Sequence, residues 1–205
     1  MHTVARDSRA ALLDAATDAV RHGADWDRLR MVDVARAAGV SRQTLYYEFG
    51  SRDALGQAVA LREGERHADA ALHRSRLAAV GGASPGAAVA AAVALTLSAA
   101  GADPLLKAVL TDDAGGLLPY LTTRSEALLS AVGDRLSALL GEQWPQLDPV
   151  RVRLVVDLVD RLTLSHLVSP AGAAEQVAAE IALVVDAVLT PVPAHPSAPP
   201  HGGPP

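Results

Sequence analysis

The segment from Met31 to Leu55, MVDVARAAGVSRQTLYYEFGSRDAL, constrains the fold more than any other part of the chain. It opens with an apolar stripe at helical spacing, formed by Val34, Ala35 and Ala38. Gly39 follows, at the point where a left-handed residue commonly ends a helix. Ser41 is a natural N-cap for a second short helix. The pattern predicts a helix-turn-helix, whose second helix is of the type that enters a DNA major groove.

The predicted second helix has one apolar and one polar side. Leu45 and Phe49 lie four residues apart and are expected to face the domain core. The other side carries hydrogen-bonding groups, namely Arg42, Gln43, Thr44, Tyr46 and Tyr47. An ordinary solvated polar face is the alternative interpretation.

This segment resembles the N-terminal domain of the TetR family of transcriptional regulators. The matching residues are Ala35, Gly39, Val40, Ser41, Thr44, Leu45, Tyr46, Phe49, Ser51, Arg52 and Leu55, with Leu12, Ala15, Ala16 and Gly23 upstream. The close match covers roughly residues 8 to 62. The rest of the chain fits the family in its length and its helical character.

The resemblance implies a set of DNA contacts. Arg42 and Gln43 are implied as base contacts, which suits the pairing of Arg with guanine and of Gln with adenine. The full set is Arg30, Ser41, Arg42, Gln43, Thr44, Tyr46, Tyr47 and Arg52, and most of the remainder are expected to contact phosphates. Arg52 would sit at a helix N-terminus, which favours an anion. For Tyr46 the alternative is a core aromatic with a surface hydroxyl. For Arg6 and Arg9, contact with backbone phosphates and ordinary solvated side chains are equally good interpretations.

Two positions depart from the family pattern. The family usually has a basic or neutral residue where this chain has Glu48, and we expect Glu48 to pair with Arg52, four residues on. The family tends to cap the first helix of the motif with Thr or Ser. Arg30 stands there instead; it cannot cap in that way, but its charge would suit a phosphate.

Composition favours helices throughout. Half of the residues are hydrophobic but only 3% are aromatic, so the core must be built from Ala, Val and Leu. We predict an all-α fold with an N-terminal three-helix helix-turn-helix domain (residues 1–50). A C-terminal helical domain (residues 51–190) follows, and the resemblance implies that it binds an effector and dimerises. The Pro-rich segment 191–205 is predicted to be disordered, with His195 and His201 solvated and not bound to metal.

Helix signals divide the chain further. Ser8 or Asp7 is expected to cap the first helix, which ends near His22. Later helices are predicted from Ser51 to about Ala79 and from Pro85 onward, and a short helix is predicted to begin at Asp103-Pro104. A loop is predicted at Thr111–Gly116. Three further helices are predicted at Leu117–Leu140, Asp148–Val168 and Ala173–Leu189.

Charge is unevenly distributed. The net charge is −5, yet residues 1–62 hold nine arginines against eight carboxylates, so the acidity belongs to the remainder. A protein that contacts DNA through one end tolerates this distribution. The chain has no cysteine and no apolar signal-peptide core, from which we expect a cytoplasmic protein. The apolar run near Ala87–Ala100 is interpreted as a buried helix and not a membrane span.

The last two predicted helices offer a partner surface. Their apolar stripes comprise Val152, Val155, Val159 and Leu162, and Val177, Ile181, Val184, Val185 and Val188. An ordinary core is the alternative. The resemblance implies a homodimer through a four-helix bundle made of these helices.

The resemblance also implies a small-molecule effector in the C-terminal domain. The candidate polar contacts are Tyr120, Arg124, Thr163 and His166. Low charge in these helices favours a mainly apolar effector. We expect no cofactor, no metal and no catalytic residue, since no phosphate loop, His-x-x-x-His pair or G-x-S-x-G elbow occurs.

Two functions from different classes follow. The first is a dimeric, ligand-responsive regulator, most simply a repressor released from a near-palindromic double-stranded DNA operator. The alternative is a helical enzyme or small-molecule carrier that has kept an unused helix-turn-helix.

Overall fold

The structure is a computed structural model that describes residues 2–103, 105–106, 110 and 117–190. At residues 2–7, 101, 120 and 121 it describes the backbone alone. All regular structure in these residues is helical. The helices are α1 (His2–Arg21), α2 (Met31–Ala37), α3 (Arg42–Phe49), α4 (Arg52–Val80), α5 (Pro85–Ala102), α6 (Leu118–Leu121), α7 (Glu126–Gln143), α8 (Pro149–Val168) and α9 (Ala174–Leu189), with a 3₁₀ turn at Trp26–Arg28. None of them is long and apolar enough to cross a membrane.

Two apolar clusters form the core. The first joins α1, α2, α3 and the beginning of α4 around Leu12, Trp26, Leu45 and Leu55, and it also buries Leu105 and Leu117 from later in the chain. The second lies among α5, α7, α8 and α9. Because α4 is 29 residues long, it lines both halves of the molecule.

Local signals explain several helix starts. Ser41 and Ser51 cap α3 and α4 by accepting the backbone N–H groups of Thr44 and Ala54. Ser84 caps α5 in the same way, with Pro85 in its first turn. The predicted α4, α8 and α9 are confirmed to within one or two residues, which is the normal uncertainty of a helix end.

The prediction for the start of α1 was wrong. This helix begins at His2, so neither Asp7 nor Ser8 is its cap. The polar first turn gave no signal that distinguished a cap from a solvated helical face.

The prediction of one helix over Leu117–Leu140 was also wrong. The chain turns between α6 and α7, where the Pro119 carbonyl accepts the N–H groups of both Thr122 and Arg124. The Thr122 hydroxyl donates to the Leu118 carbonyl at 3.1 Å, and the Ser125 hydroxyl donates to the Thr122 carbonyl at 2.7 Å. Such short hydroxyl side chains compete with helical hydrogen bonding and favour a turn.

The predicted short helix at Asp103-Pro104 is described only in part. The Asp103 carboxylate accepts the N–H groups of Leu105 and Leu106 at 2.9 and 3.2 Å, as an N-cap does. The predicted loop at residues 111–116 and the predicted disordered segment 191–205, with its two histidines, lie outside the described residues.

Candidate nucleic-acid interface and internal cavity

The turn between α2 and α3 has the predicted geometry. Gly39 adopts φ +68°, and the N–H of Val40 donates to the Ala35 carbonyl at 3.0 Å. Ser41 Oγ accepts the Thr44 N–H at 3.0 Å and lies 2.8 Å from the Thr44 hydroxyl. The two hydroxyls therefore fix the beginning of α3, and the helix-turn-helix prediction is confirmed.

The α3 helix has one buried and one exposed face. Leu45 and Phe49 are buried in the N-terminal core, as predicted. Tyr47 is 86% exposed and Tyr46 is 40% exposed, so neither ring is a core residue. The Arg42 guanidinium carbon lies 5.2 Å from the centre of the Tyr46 ring, a cation–π distance. This face presents arginine, amide and phenol groups to solvent.

The predicted Glu48–Arg52 ion pair is wrong. Arg52 instead donates to the backbone carbonyl of Asp27, with its second nitrogen 3.5 Å from the Asp27 carboxylate. Glu48 pairs with Arg9 instead of Arg52: Arg9 donates to the Glu48 carbonyl at 3.0 Å and lies 3.8 Å from the Glu48 carboxylate. Arg9 also covers the Phe49 ring at 4.4 Å. A cation at this C-terminal end complements the helix dipole.

Arg30 occupies the N-cap position of α2 and makes no side-chain cap, as expected. Its Nε donates to the Asp33 carboxylate at 2.7 Å, but the side chain remains largely exposed. The side chain of Arg6 lies outside the described residues. The sequence-predicted DNA-contacting residues are therefore exposed or partly exposed around α3 and the first turns of α2 and α4.

The second half of the molecule contains an internal cavity of about 160 Å³. It lies among α4, α5, α7 and α8, and its wall is mostly aliphatic, with Val59, Leu72, Val89, Val93, Leu128, Leu136, Val159 and Leu167 among the lining residues. Its polar lining residues, among those described, are Glu63, His67, Thr96, Asp160 and Thr163. The cavity therefore fits an aliphatic molecule that carries few polar atoms.

Gly64 in α4 provides part of this space. A Cβ at Gly64 would overlap Leu128 Cδ1, so the leucine lies against bare helix backbone. A glycine inside a helix is by itself destabilising relative to alanine. The structure shows that it allows close packing beside the cavity.

Glu63 and His67 join the cavity wall to a network of charges. Arg21 of α1 donates to the Glu63 carboxylate at 3.0 Å, and Arg66 donates to the same oxygen at 3.0 Å. His67 Nε2 lies 3.3 Å from the Asp103 carboxylate. Burial, and then the Arg66 charge, lower the pKa of His67 below its usual value. The imidazole is therefore mainly neutral at pH 7.

A neighbouring arginine links the same two helices. Arg62 of α4 donates to the Asp14 carboxylate at 2.7 Å and to the Thr17 hydroxyl at 2.9 Å, both on α1. With Arg21–Glu63, this gives α1 and α4 a polar contact on the outer side of the cavity wall.

Asp160 and Thr163 of α8 line the opposite part of the cavity. Burial, and then repulsion from Asp157, raise the pKa of Asp160 to about 7. The Thr163 hydroxyl is buried and has no hydrogen-bond partner among the described residues.

The four sequence-predicted effector contacts do not come together. Thr163 lines the cavity, whereas Arg124 lies at the surface with its guanidinium 2.6 Å from the Asp53 carboxylate. His166 lines a separate pocket with Leu97, Pro170 and Val177. The side chain of Tyr120 lies outside the described residues. Sequence reasoning missed Glu63, His67 and Asp160. Glu63 and His67 stand in the charged run Arg62–Asp69, so the sequence did not distinguish them from a solvated helical face.

The predicted partner stripes lie mainly inside the chain. Val152, Val155, Val159, Val177, Ile181 and Val185 are all buried in the second core cluster, and Leu162 and Val188 pack partly against it. Val184 is 41% exposed. The large apolar residues most exposed on these two helices are different ones, namely Val150, Leu154 and Leu183.

Among the described residues, no group of three or more His, Asp or Glu side chains is placed to hold a metal ion.

Comparison with known proteins agrees with this geometry. The family described as "Bacterial regulatory proteins, tetR family" matches residues 12–59, and "Bacterial Tetracyclin repressor, C-terminal domain" matches residues 85–187. The chain is 36% identical over 185 residues to the HTH-type transcriptional regulator AlkX of Mycobacterium tuberculosis, covering 88% of this chain and 86% of that protein.

Two solved structures show the same fold. The TetR family repressor AlkX of Dietzia sp., implicated in biodegradation of n-alkanes, superposes with a TM-score of 0.70 at 30% identity, over 88% of this chain and 94% of that one. Thermus thermophilus FadR, solved with lauroyl-CoA, superposes with a TM-score of 0.63 at 19% identity, over 95% and 100% of the two chains, and supports the fold alone.

A helix-turn-helix joined by one long helix to an all-helical half with an apolar cavity defines a class of DNA-binding transcriptional regulators. The chain belongs to the TetR family of that class. Its relatives are regulators, so the alternative of a helical enzyme with an unused helix-turn-helix is set aside.

Proposed function

We propose that the protein is a homodimeric repressor that binds a near-palindromic operator and releases it when a small, mainly apolar effector enters the cavity. One observation carries the proposal. Glu63 lines the apolar cavity and also accepts a hydrogen bond from Arg21 of α1, which packs against the helix-turn-helix. Glu63 therefore connects the cavity to the helix that packs against the DNA-binding helices.

The α3 helix is the proposed reading element. Arg42 and Gln43 would contact base edges, and Tyr46, Tyr47, Thr44 and Ser41 would contact phosphates or hold the contacting residues in place. Arg30 and Arg52, at the first turns of α2 and α4, would add phosphate contacts. The exposure of Tyr47 and the cation–π contact between Arg42 and Tyr46 support this assignment.

The exposed faces of α8 and α9 are the proposed dimer interface. Leu154 and Leu183 are 51% and 73% exposed, and Val150 and Val184 are further exposed apolar side chains on the same two helices. Leaving these side chains in water is unfavourable, and pairing two such faces would bury them in a four-helix bundle. Two α3 helices would then meet successive major grooves of one operator.

The cavity sets limits on the effector. An apolar cavity of about 150 Å³ is large enough for benzene, so the 160 Å³ here holds an aliphatic segment of similar size before the walls move. The Dietzia relative is implicated in n-alkane biodegradation, which supports an effector with an alkyl chain. The protein would act where its operator DNA lies, in the cytoplasm.

Release requires a preference between conformations. An effector lowers operator affinity only if it binds better to a conformer whose two α3 helices do not fit the operator spacing. The polar contacts between α4 and α1 give such a conformer a physical basis, because a shift of α4 at the cavity changes the position of Arg21 and Arg62.

The test is a DNA-binding titration. Fluorescence anisotropy with the DNA that flanks the protein's own gene should give saturable, salt-dependent binding, and scrambled DNA of the same composition is the control. An alkyl effector such as 1-octanol should lower that affinity by about 5–150-fold. Equal affinity for both DNAs would refute the regulator proposal, and operator binding that no alkyl compound changes would refute only the effector part.

A further inference from the structure

Two polar side chains that face the cavity from one turn of α8 lack partners. Asp160 and Thr163 are three residues apart and both line the cavity. Residues at this spacing are neighbours on one face of a helix, with Cβ atoms about 5–6 Å apart. A single polar group of a bound molecule can therefore reach both.

Of these two side chains, Thr163 is the one whose lack of a hydrogen-bond partner among the described residues is less expected. Thr96 also lines the cavity, but its hydroxyl donates to the Ala92 carbonyl at 3.0 Å. Thr163 Oγ1 is buried and has no such partner among the described residues. Leaving a buried hydroxyl without a hydrogen bond is unfavourable, so a polar atom of a bound molecule beside Thr163 would stabilise it.

Asp160 lacks a partner as well. No hydrogen bond or ion pair connects its carboxylate to another described residue, and the adjacent Arg161 donates instead to Asp157 at 2.8 Å. The opposing position on α7 is Gly133, where a Cβ would lie only 3.0 Å from Asp160 Oδ2. Asp160 lines both the cavity and a more open groove that also contains Gly133 and Arg161, so its carboxyl group lies at the edge of the cavity.

The charges around the cavity determine which polar group fits. The titratable lining residues are Glu63, His67 and Asp160, and no Arg or Lys is among the described residues that line it. Glu63 already accepts from Arg21 and Arg66. Among the described lining residues, an anionic head group would meet carboxyl groups and no Arg or Lys, which is unfavourable in an apolar cavity. A hydroxyl both donates and accepts, and so matches a carboxyl group and a threonine hydroxyl together.

We propose that Asp160 and Thr163 form a subsite that binds the hydroxyl group of an aliphatic alcohol. The alcohol O–H donates to the Asp160 carboxylate, and its oxygen accepts from the Thr163 hydroxyl. The alkyl chain occupies the aliphatic part of the cavity between α4, α5 and α7. The inference rests on the proposed role of the cavity as the effector site and specifies the effector's polar group.

The test measures binding of three octyl compounds to the full-length protein by isothermal titration calorimetry: 1-octanol, its methyl ether, and octanoate. The methyl ether keeps the chain and an acceptor oxygen but cannot donate. Asp160→Asn and Thr163→Val keep the shape of each side chain, and Thr96→Val is the matched control because its hydroxyl is already bonded within α5.

The parent should bind 1-octanol about tenfold more tightly than the methyl ether, the effect of one hydrogen bond. Asp160→Asn and the double variant should reduce that preference, because only the alcohol can donate to this carboxyl group. Thr163→Val should weaken both compounds, since both keep the acceptor oxygen, whereas Thr96→Val should change neither. The methyl ether should bind the parent and the Asp160→Asn variant alike, which separates loss of the subsite from loss of folding.

Three outcomes would overturn the subsite. The first is a preference for 1-octanol that survives in the double variant, and the second is tighter binding of octanoate than of 1-octanol at pH 7.5. The third is that none of the compounds binds, and this outcome would also overturn the proposed effector cavity. The first two outcomes would overturn the subsite alone.

Discussion

The Asp186 carboxylate of α9 accepts a hydrogen bond from the backbone N–H of Gly86 in α5 at 2.7 Å. The Ser84 hydroxyl donates to the second carboxylate oxygen at 2.9 Å. An acidic side chain from one helix therefore stabilises the N-terminus of another, where free N–H groups and the helix dipole favour negative charge. The two helices are close enough that a Cβ on Gly86 would overlap the Ala182 carbonyl oxygen.

This contact predicts that Gly86→Ala destabilises the protein by about 1–3 kcal/mol, the usual effect of overpacking. Gly141→Ala is the matched control: Gly141 lies in α7 with open space around its Cα, so alanine there should stabilise by about 0.5–1 kcal/mol. Urea denaturation followed by circular dichroism measures both. A Gly86→Ala protein as stable as the parent would contradict the close-packing explanation.

Arg42→Ala should weaken operator binding by about 1–3 kcal/mol and relax base preference at one position in each half-site. Arg52→Ala should weaken binding to all sequences alike and reduce the salt slope by about one. Arg76→Ala is the control, since Arg76 pairs with Glu142 near the far end of α4. Anisotropy titrations at several salt concentrations give these values. If the Arg42 and Arg52 variants both bound operator DNA with the affinity of the parent, the contact assignment would be wrong.

Arg21→Ala should reduce the effector response of DNA binding while leaving effector affinity nearly unchanged, because Arg21 contacts Glu63 but does not line the cavity. The expected 5–150-fold release should fall toward no release. Arg76→Ala again serves as the control, because it removes an ion pair between α4 and α7 and leaves the α1 contact in place. If release were the same in the Arg21 variant as in the parent, this contact would not transmit the signal.

The raised pKa of Asp160 predicts a pH-dependent stability. The folded carboxyl titrates at about 7 and the unfolded one near 3.8, so between these values the native state binds more protons than the unfolded state. Stability should therefore fall as pH rises from 5 to 8, by a few kcal/mol at most. Asp160→Asn should lose this component, and Asp157→Asn should only reduce it, because burial is the larger cause of the raised pKa and remains in that variant. Identical pH dependence in the parent and the Asp160→Asn variant would refute the assignment.

Leu154→Glu combined with Leu183→Glu should give folded monomers, because the charges would be buried at the proposed subunit interface. Leu77→Glu is the control, since Leu77 is 55% exposed on α4 and outside that face. Analytical ultracentrifugation at micromolar concentration should show a dimer for the parent and for Leu77→Glu. A monomeric parent would refute the dimer.

The helix-turn-helix was predictable because its signals are local. The Gly39 turn, the Ser41 cap and the Leu45–Phe49 face each depend on a few consecutive residues. The Glu48–Arg52 pair failed because i, i+4 spacing takes no account of Asp27, 25 residues earlier in the chain, which binds Arg52 instead. The break between α6 and α7 depends on hydroxyl hydrogen bonds that a periodicity count does not detect.

The cavity could not be read from the sequence for a related reason. An empty apolar space and a filled apolar core require the same residue types. Among the described lining residues, the departures from an aliphatic wall are mainly Gly64 and the polar side chains Glu63, His67, Thr96, Asp160 and Thr163. Periodicity likewise found the apolar faces of α8 and α9, but it identified the faces that pack within the chain, around Val155 and Ile181.

The first core cluster is completed by Leu105 and Leu117, two residues from the C-terminal half of the chain. A chimera that joined residues 1–50 of a relative to this C-terminal half would place a foreign helix-turn-helix against those leucines and against Arg62 and Glu63. Recombination at that junction would disturb folding, and under the proposed function it would also disturb the response to the effector. A new specificity for operator or effector would then be easier to obtain by substitution within the intact protein than by exchange of the two halves.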